Sequence, residues 1–408
     1  MNIKQKINFE KTFLYTTILF ALTIPLSRAL ISFFILLLVT LWVYEGEFQR
    51  KYNLLKNNKL IIALSLFSIY SLFSVFFSAD IPEALNRIRL LSYWIVILVI
   101  ITSIKKENVE TVITAFLTGM FISEVLAYGI FFELWSFNGV TPENPSPFMM
   151  HINYSIFLAF TSLLLLNRII SDRYTLQEKL FLTLFFLTVT GNLFLAAGRT
   201  GQVALIVGII IMTAIHYKIS IKSFLISILL IGSIFTVAYN VSDTFQKRSN
   251  AALSDMKSVS ELDFDSSWGI RSAFYITSFE ILKEHPFGVG IGDVLLANKE
   301  VLKNNEFPYF NQNVKDFISK SEPHNQYLFI LIQMGFIGLG LFLFIIYTLL
   351  KLPIDNREIK EISIIFVTIF FTSALFESIL ISQFPIALFI LFIGLFGASS
   401  VNKNKIEK

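Results

Sequence analysis

No cysteine occurs in the 408 residues, which excludes disulfides, thiolate zinc sites and a cysteine nucleophile, and leaves the redox compartment unreadable from this source. Charge is scarce too. Asp, Glu, Lys and Arg make up 15% of the chain against 55% hydrophobic residues, and the mean hydropathy is +0.68. A soluble globule needs far more charge to cover its surface, so the composition requires an integral membrane protein. The formal net charge is only +4, and most basic residues have the topological explanation given below, so no nucleic-acid partner is expected. Internal repeats, low-complexity tracts and a detachable soluble domain are also lacking.

What the chain has instead is apolar runs. A membrane-crossing helix needs roughly 20 mostly apolar residues. On that rule candidates fall near 12–27, 29–45, 59–78, 89–104, 109–133, 150–167, 178–197, 199–217, 220–240, 325–350, 360–382 and 384–400. Lys4, Lys6 and Lys11 ahead of the first run imitate a secretory signal, but no small-x-small cleavage site follows, so a retained first helix is expected. Lys and Arg accumulate in the short loops of one side, among them Lys56, Lys105, Arg168, Lys218, Lys351 and Arg357, together with Lys403, Lys405 and Lys408 at the end of the chain. The positive-inside rule makes that side cytoplasmic, with both termini on it. The short outer loops and helix ends hold only Arg28, Arg87, Arg89 and Arg199.

The long polar segment 240–324 then falls outside, between runs nine and ten. The chain divides accordingly into membrane helices over 1–239, the outer segment over 240–324, and membrane helices with a tail over 325–408. Within the outer segment, Asp265, Ser266 and Ser267 are N-cap candidates for a helix reaching Glu284, and His285-Pro286 stops it. On that helix Ile270, Phe274, Thr277 and Ile281 form one stripe and Arg271, Tyr275 and Ser278 the adjacent face. A second short helix is expected over 294–303.

Few side chains suit chemistry. Arg199, in Ala197-Gly198-Arg199-Thr200-Gly201, opens the eighth run; a lone Arg there ordinarily snorkels to headgroups. The flanking glycines suggest close approach of a substrate to the backbone. Arg271 on its own reads as a solvated or salt-bridged helix residue, and Arg248 is a weaker third candidate. Together these arginines suit a phosphate-bearing ligand, since guanidinium groups bind phosphate oxygens bidentately and keep their charge. His324, between Pro323 and Asn325 at the start of the tenth run, carries an imidazole able to take a proton from a hydroxyl. His285 reads as a helix-end contact, and His151 and His216 have no chemical neighbours in sequence. The glycines of 287–293 lack nucleotide-loop spacing and read as a tight turn. Glu261, Asp263 and Asp265 lack the ligand spacing of a calcium loop. Glu124 and Glu377 lie within apolar runs, where an ionisable group is either functional or engaged in helix contacts.

Read together, Gly198-Arg199-Thr200-Gly201, Gly269-Ile270-Arg271-Ser272-Ala273 followed by His285-Pro286-Phe287-Gly288-Val289-Gly290, and Pro323-His324-Asn325-Gln326-Tyr327 leading to Gln333-Met334-Gly335 resemble the bacterial O-antigen ligase and polymerase superfamily. The likeness is sharpest over 191–340. It implies an all-α, GT-C-like polytopic membrane protein of about twelve transmembrane helices, with one large periplasmic helical loop between helices nine and ten. It further implies a glycosyltransferase of the bacterial inner membrane, inverting and independent of metal or other cofactor. The donor would be a glycan on undecaprenyl pyrophosphate, the acceptor lipid A-core, and the surroundings membrane lipid. In that likeness Arg199 and Arg271 hold the pyrophosphate and His324 is the general base, with Arg248, Asn325, Tyr275 and His285 as further substrate contacts. An O-antigen polymerase would use the same donor; a protein O-oligosaccharyltransferase and a lipid or glycan transporter are more distant alternatives.

Overall fold

The computed structural model describes residues 8–137, 139–260 and 262–401, so the terminal lysines 4, 6, 403, 405 and 408 and Glu261 lie outside the described residues. The helices are α1 (Phe9–Thr23), α2 (Arg28–Glu45), α3 (Phe48–Leu55), α4 (Lys59–Ser74), α5 (Ile81–Ser92), α6 (Ile95–Ser103), α7 (Val109–Phe131), α8 (His151–Ile170) and α9 (Leu176–Leu195). There follow α10 (Arg199–Tyr217), α11 (Ile221–Val241), α12 (Asp243–Ser260), α13 (Ser267–Glu284), α14 (Val294–Asn304), α15 (Gln312–Lys320), α16 (Gln326–Leu350), α17 (Arg357–Ser373) and α18 (Gln383–Ser400). Among the described residues ten helical stretches are long and apolar enough to cross a bilayer, and the protein is an all-helical polytopic membrane protein. The first and eleventh of the twelve expected runs are helical as well, but shorter, at 15 residues in α1 and 17 in α17.

Burial separates the centre of the bundle from its rim. The spans of α8 and α18 are 83% buried, whereas that of α11 is 17% buried and turns most of its apolar surface outward. α8 packs against α9, α10 and α17, and α10 packs against α8, α11 and α17. Small residues set the closest of these contacts. A Cβ at Gly201 would lie 2.1 Å from the Ser155 carbonyl oxygen, and one at Gly198 would lie 2.6 Å from that of His151. The glycines around Arg199 therefore let α8 and α10 meet backbone to backbone, rather than admitting a substrate as their sequence suggests.

The segment between α11 and α16 folds as four helices on one end of the bundle. Two were legible in advance: α13 starts at the expected cap, with Ser266 accepting the Gly269 N–H, and α14 covers the expected 294–303. α12 and α15 are additional. The apolar faces of α13, α14 and α15 make a small core in which Phe264, Phe274, Ile281, Val301, Phe310 and Ile318 meet Phe329 and Ile332 of α16. The segment between α11 and α16 thus shares its core with a membrane helix.

Polar fasteners complete the attachment. The stretch after α13 runs along a break in α16, with Val289 N–H donating to the Ile332 carbonyl and Gly290 N–H to that of Gln333. Gly288 and Gly335 both have positive φ there, and a side chain at either would strike the other strand's backbone. Asp293 then accepts the N–H groups of Ala79 and Asp80 at 2.7 and 2.9 Å, holding the start of α5. Arg87 of α5 pairs with Glu322. Because Asp293 is buried, Asp293→Ala strands two backbone donors and should cost about 1.5–3 kcal/mol. A lowered thermal midpoint in detergent, with faster proteolysis between α12 and α15, is the expected reading.

Candidate active site

Helix direction brings the starts of α8, α10 and α16 and the turn after α17 to the end of the bundle covered by α12–α15. Arg199 is the first residue of α10, where the backbone N–H groups of the opening turn already favour an anion. Its Nη2 donates to Oγ of Ser267 at 2.9 Å. Arg271, one turn into α13, donates from Nη1 to the same Oγ at 3.0 Å and to the Ser267 carbonyl at 3.2 Å. Since Ser266 is the cap, Ser267 is free to bridge two guanidinium groups supplied by helices 68 residues apart in sequence.

The pair is under-neutralised. The nearest carboxylate to Arg199 is that of Asp255, 3.9 Å from Nη1, too far for a hydrogen bond. Arg199 Nη1 and Arg271 Nε are buried without hydrogen-bond partners among the described residues. Burial first, and then the neighbouring charge of Arg199, push the Arg271 guanidinium below its ordinary value, while Glu377, Tyr275 and Asp255 act in the opposite direction. An arginine remains charged throughout working conditions. Two confined like charges with orphaned N–H groups are matched by the several acceptor oxygens of a phosphate ester.

His324 lies just before α16, part-buried between the rings of Phe274 and Phe317. Its Nδ1 is 3.1 Å from Oε2 of Glu377, whose side chain is only 12% exposed. The apolar run places Glu377 inside a membrane helix running to 382, but the helix stops earlier. α17 ends at Ser373, and the turn that follows is tied to the start of α16: the Gln326 N–H donates to the Ala374 carbonyl, Ser378 Oγ to the Pro323 carbonyl, and the Leu380 N–H to Gln326 Oε1. Those three bonds substitute for continued helix and aim the carboxylate at His324. A carboxylate on Nδ1 keeps the hydrogen there and leaves the Nε2 lone pair free to accept a proton.

The other expected contacts divide. Asn325 is 6% exposed, and both ends of its amide are engaged, Oδ1 capping Leu328 N–H and Nδ2 donating to the Tyr275 hydroxyl at 2.6 Å. Asn325 and Tyr275 therefore clamp α13 to α16 and set the spacing of Arg271 from His324. Arg248, exposed on α12, is an electrostatic neighbour of Arg199. His285 caps the far end of α13, exposed and three to four helical turns from Arg271, and does not join the cluster. Glu124 is buried within α7, away from these residues. The sequence offered Glu377 only as an ionisable group within an apolar run; it reaches His324 through a contact 53 residues distant that no local motif announces.

The protein is thus a polytopic membrane protein in which two arginines meet on one serine hydroxyl and a carboxylate holds a histidine at one end of the bundle. Residues 184–343 match the family model described as O-antigen ligase. The matched stretch contains Arg199, Arg248, Arg271 and His324; Glu377 and His151 lie outside it. Comparison with curated proteins finds no match.

Proposed function

We propose that this protein is an O-antigen ligase of the bacterial inner membrane, transferring a glycan from undecaprenyl pyrophosphate to lipid A-core at the periplasmic face. The observation that carries the reading is the meeting of Arg199 and Arg271 on one serine hydroxyl, in the same cluster as the His324–Glu377 pair. The charge bias of the loops supports the periplasmic placement. The carrier's apolar tail remains among lipid, while its pyrophosphate reaches the bundle end.

In the reaction the bond between the anomeric carbon and the phosphate oxygen breaks, and its electron pair stays on that oxygen. Arg199 and Arg271 stabilise the charge that develops there, an effect largest in a confined site that excludes water. The acceptor hydroxyl attacks from the opposite face and inverts the carbon, giving its proton to Nε2 of His324. Glu377 holds the ring and stabilises the imidazolium that forms. General-base assistance of this kind contributes roughly 10²- to 10⁴-fold.

Ligase and polymerase readings share the donor and differ in the acceptor. The ligase reading predicts that deleting the gene leaves lipid A-core intact, removes every attached long chain from a surface-polysaccharide gel, and causes carrier-linked polymer to accumulate. A ladder cut to a single attached repeat unit would instead establish a polymerase. Unchanged polysaccharide would refute both.

A further inference from the structure

One histidine at this end of the bundle has no part in the steps above. His151 is the first residue of α8, and the close approach of its carbonyl to Gly198 sets the opening turns of α8 and α10 side by side, with Arg199 next along. Asn144 joins the two turns. Its Oδ1 accepts the Ala197 N–H at 3.2 Å, and its Nδ2 lies 3.3 Å from Nδ1 of His151. An amide whose oxygen faces an N–H offers only donor hydrogens at its nitrogen, so Nδ1 of His151 must be the acceptor. The ring is then neutral, with its hydrogen on Nε2. Arg248 and Glu377 are its charged electrostatic neighbours, one from the arginine group and the other the carboxylate that holds His324.

The two histidines are consequently opposite tautomers. A carboxylate faces Nδ1 of His324 and leaves its Nε2 an acceptor, whereas an amide N–H faces Nδ1 of His151 and makes its Nε2 a donor. One ring can remove a proton and the other can only offer a hydrogen bond. We propose that His151 is a substrate-contacting residue whose Nε2–H donates to the phosphate oxygen that leaves the sugar. This rests on the glycosyl-transfer reading. No proton moves to or from His151: the electron pair of the broken bond stays on the phosphate, the acceptor's proton goes to His324, and the Nε2–H bond strengthens as charge grows on the leaving oxygen. A phosphate oxygen suits the position better than a sugar hydroxyl, because two helix N-termini open beside it. A neutral donor also adds stabilisation without adding to the repulsion among Arg199, Arg248 and Arg271.

The test combines a tautomer measurement with turnover. The chain has four histidines, so ¹⁵N-imidazole labelling of the full protein in nanodiscs is tractable, with the His151 signals assigned by their loss in His151→Gln. The expected spectrum is the neutral Nε2–H form at His151, reversed to Nδ1–H in Asn144→Asp. Turnover of undecaprenyl-pyrophosphate-linked glycan with lipid A-core should fall about 10²-fold in His151→Ala, chiefly in kcat. His151→Gln, which restores an N–H donor at similar reach, should recover most of that loss. A wild-type His151 that is cationic or protonated at Nδ1, or full turnover in His151→Ala, overturns the proposal. Arg271→Ala run in parallel separates the two levels: if it loses turnover while His151→Ala does not, only the role of His151 fails, and if it retains full turnover, the glycosyl-transfer reading fails and the His151 proposal with it.

Discussion

Arg271→Ala is expected to lower transfer from the carrier-linked donor by about 10²- to 10³-fold, the usual loss when one group stabilising a developing oxyanion is removed. Folding should not suffer. Burial and the charge of Arg199 both oppose the protonated guanidinium, and an arginine stays protonated at every assay pH, so the folded state carries that penalty throughout. Removing the charge should leave the thermal midpoint unchanged or raise it. An unchanged or raised midpoint together with lost turnover separates a role in binding and chemistry from one in structure. Arg271→Lys keeps the charge but cannot reproduce a forked contact, and it should remain well below wild type. Arg199→Ala should resemble Arg271→Ala, and the double variant should lose less than the product of the two, because both groups serve one anion. Wild-type transfer by either single variant at normal protein level would remove that arginine from the site.

His324→Ala should reduce turnover by about 10³-fold, within the range for a lost general base, while donor affinity stays close to wild type. The expectation follows from position: His324 sits at the head of α16, and the arginines proposed to meet the anion come from α10 and α13. Glu377→Gln should cost less, about 10²-fold, since it leaves the base in place but loosens its aim and its tautomer. Combining the two should add little to His324→Ala alone, for Glu377 acts through the imidazole. Measuring donor binding with a fluorescent carrier-linked glycan beside turnover distinguishes these outcomes. Strong loss of donor affinity in His324→Ala would assign the histidine to binding instead of proton transfer.

Much of this site was legible from local sequence. Arg199 at a helix start, Arg271 early in a capped helix and His324 before an N-capping Asn are local features, and the structure has each of them in its expected element. Glu377 was visible only as an awkward carboxylate in an apolar run. Hydropathy extends a helix through 374–382, and nothing local reveals the bonds from Gln326 and Ser378 that end it. His151 was silent for a related reason: its partner Asn144 is nearby, but the Ala197 N–H that orients Asn144 is 53 residues further on. The glycines beside Arg199 were misassigned because a sequence shows that a close approach is needed without showing what approaches.

Composition and periodicity by themselves determined that the chain is a helical membrane protein with one long polar segment, because burying apolar side chains in lipid and pairing every backbone group within a helix are local requirements. The motifs pointed to the family whose model matches residues 184–343. Tertiary structure alone decided that two arginines would share Ser267, that Glu377 would leave its helix to hold His324, and that the neighbours of His151 and His324 would set their hydrogens on opposite nitrogens. Each of those facts depends on bonds between residues 53 or more positions apart, and such bonds exist only once the helices have packed.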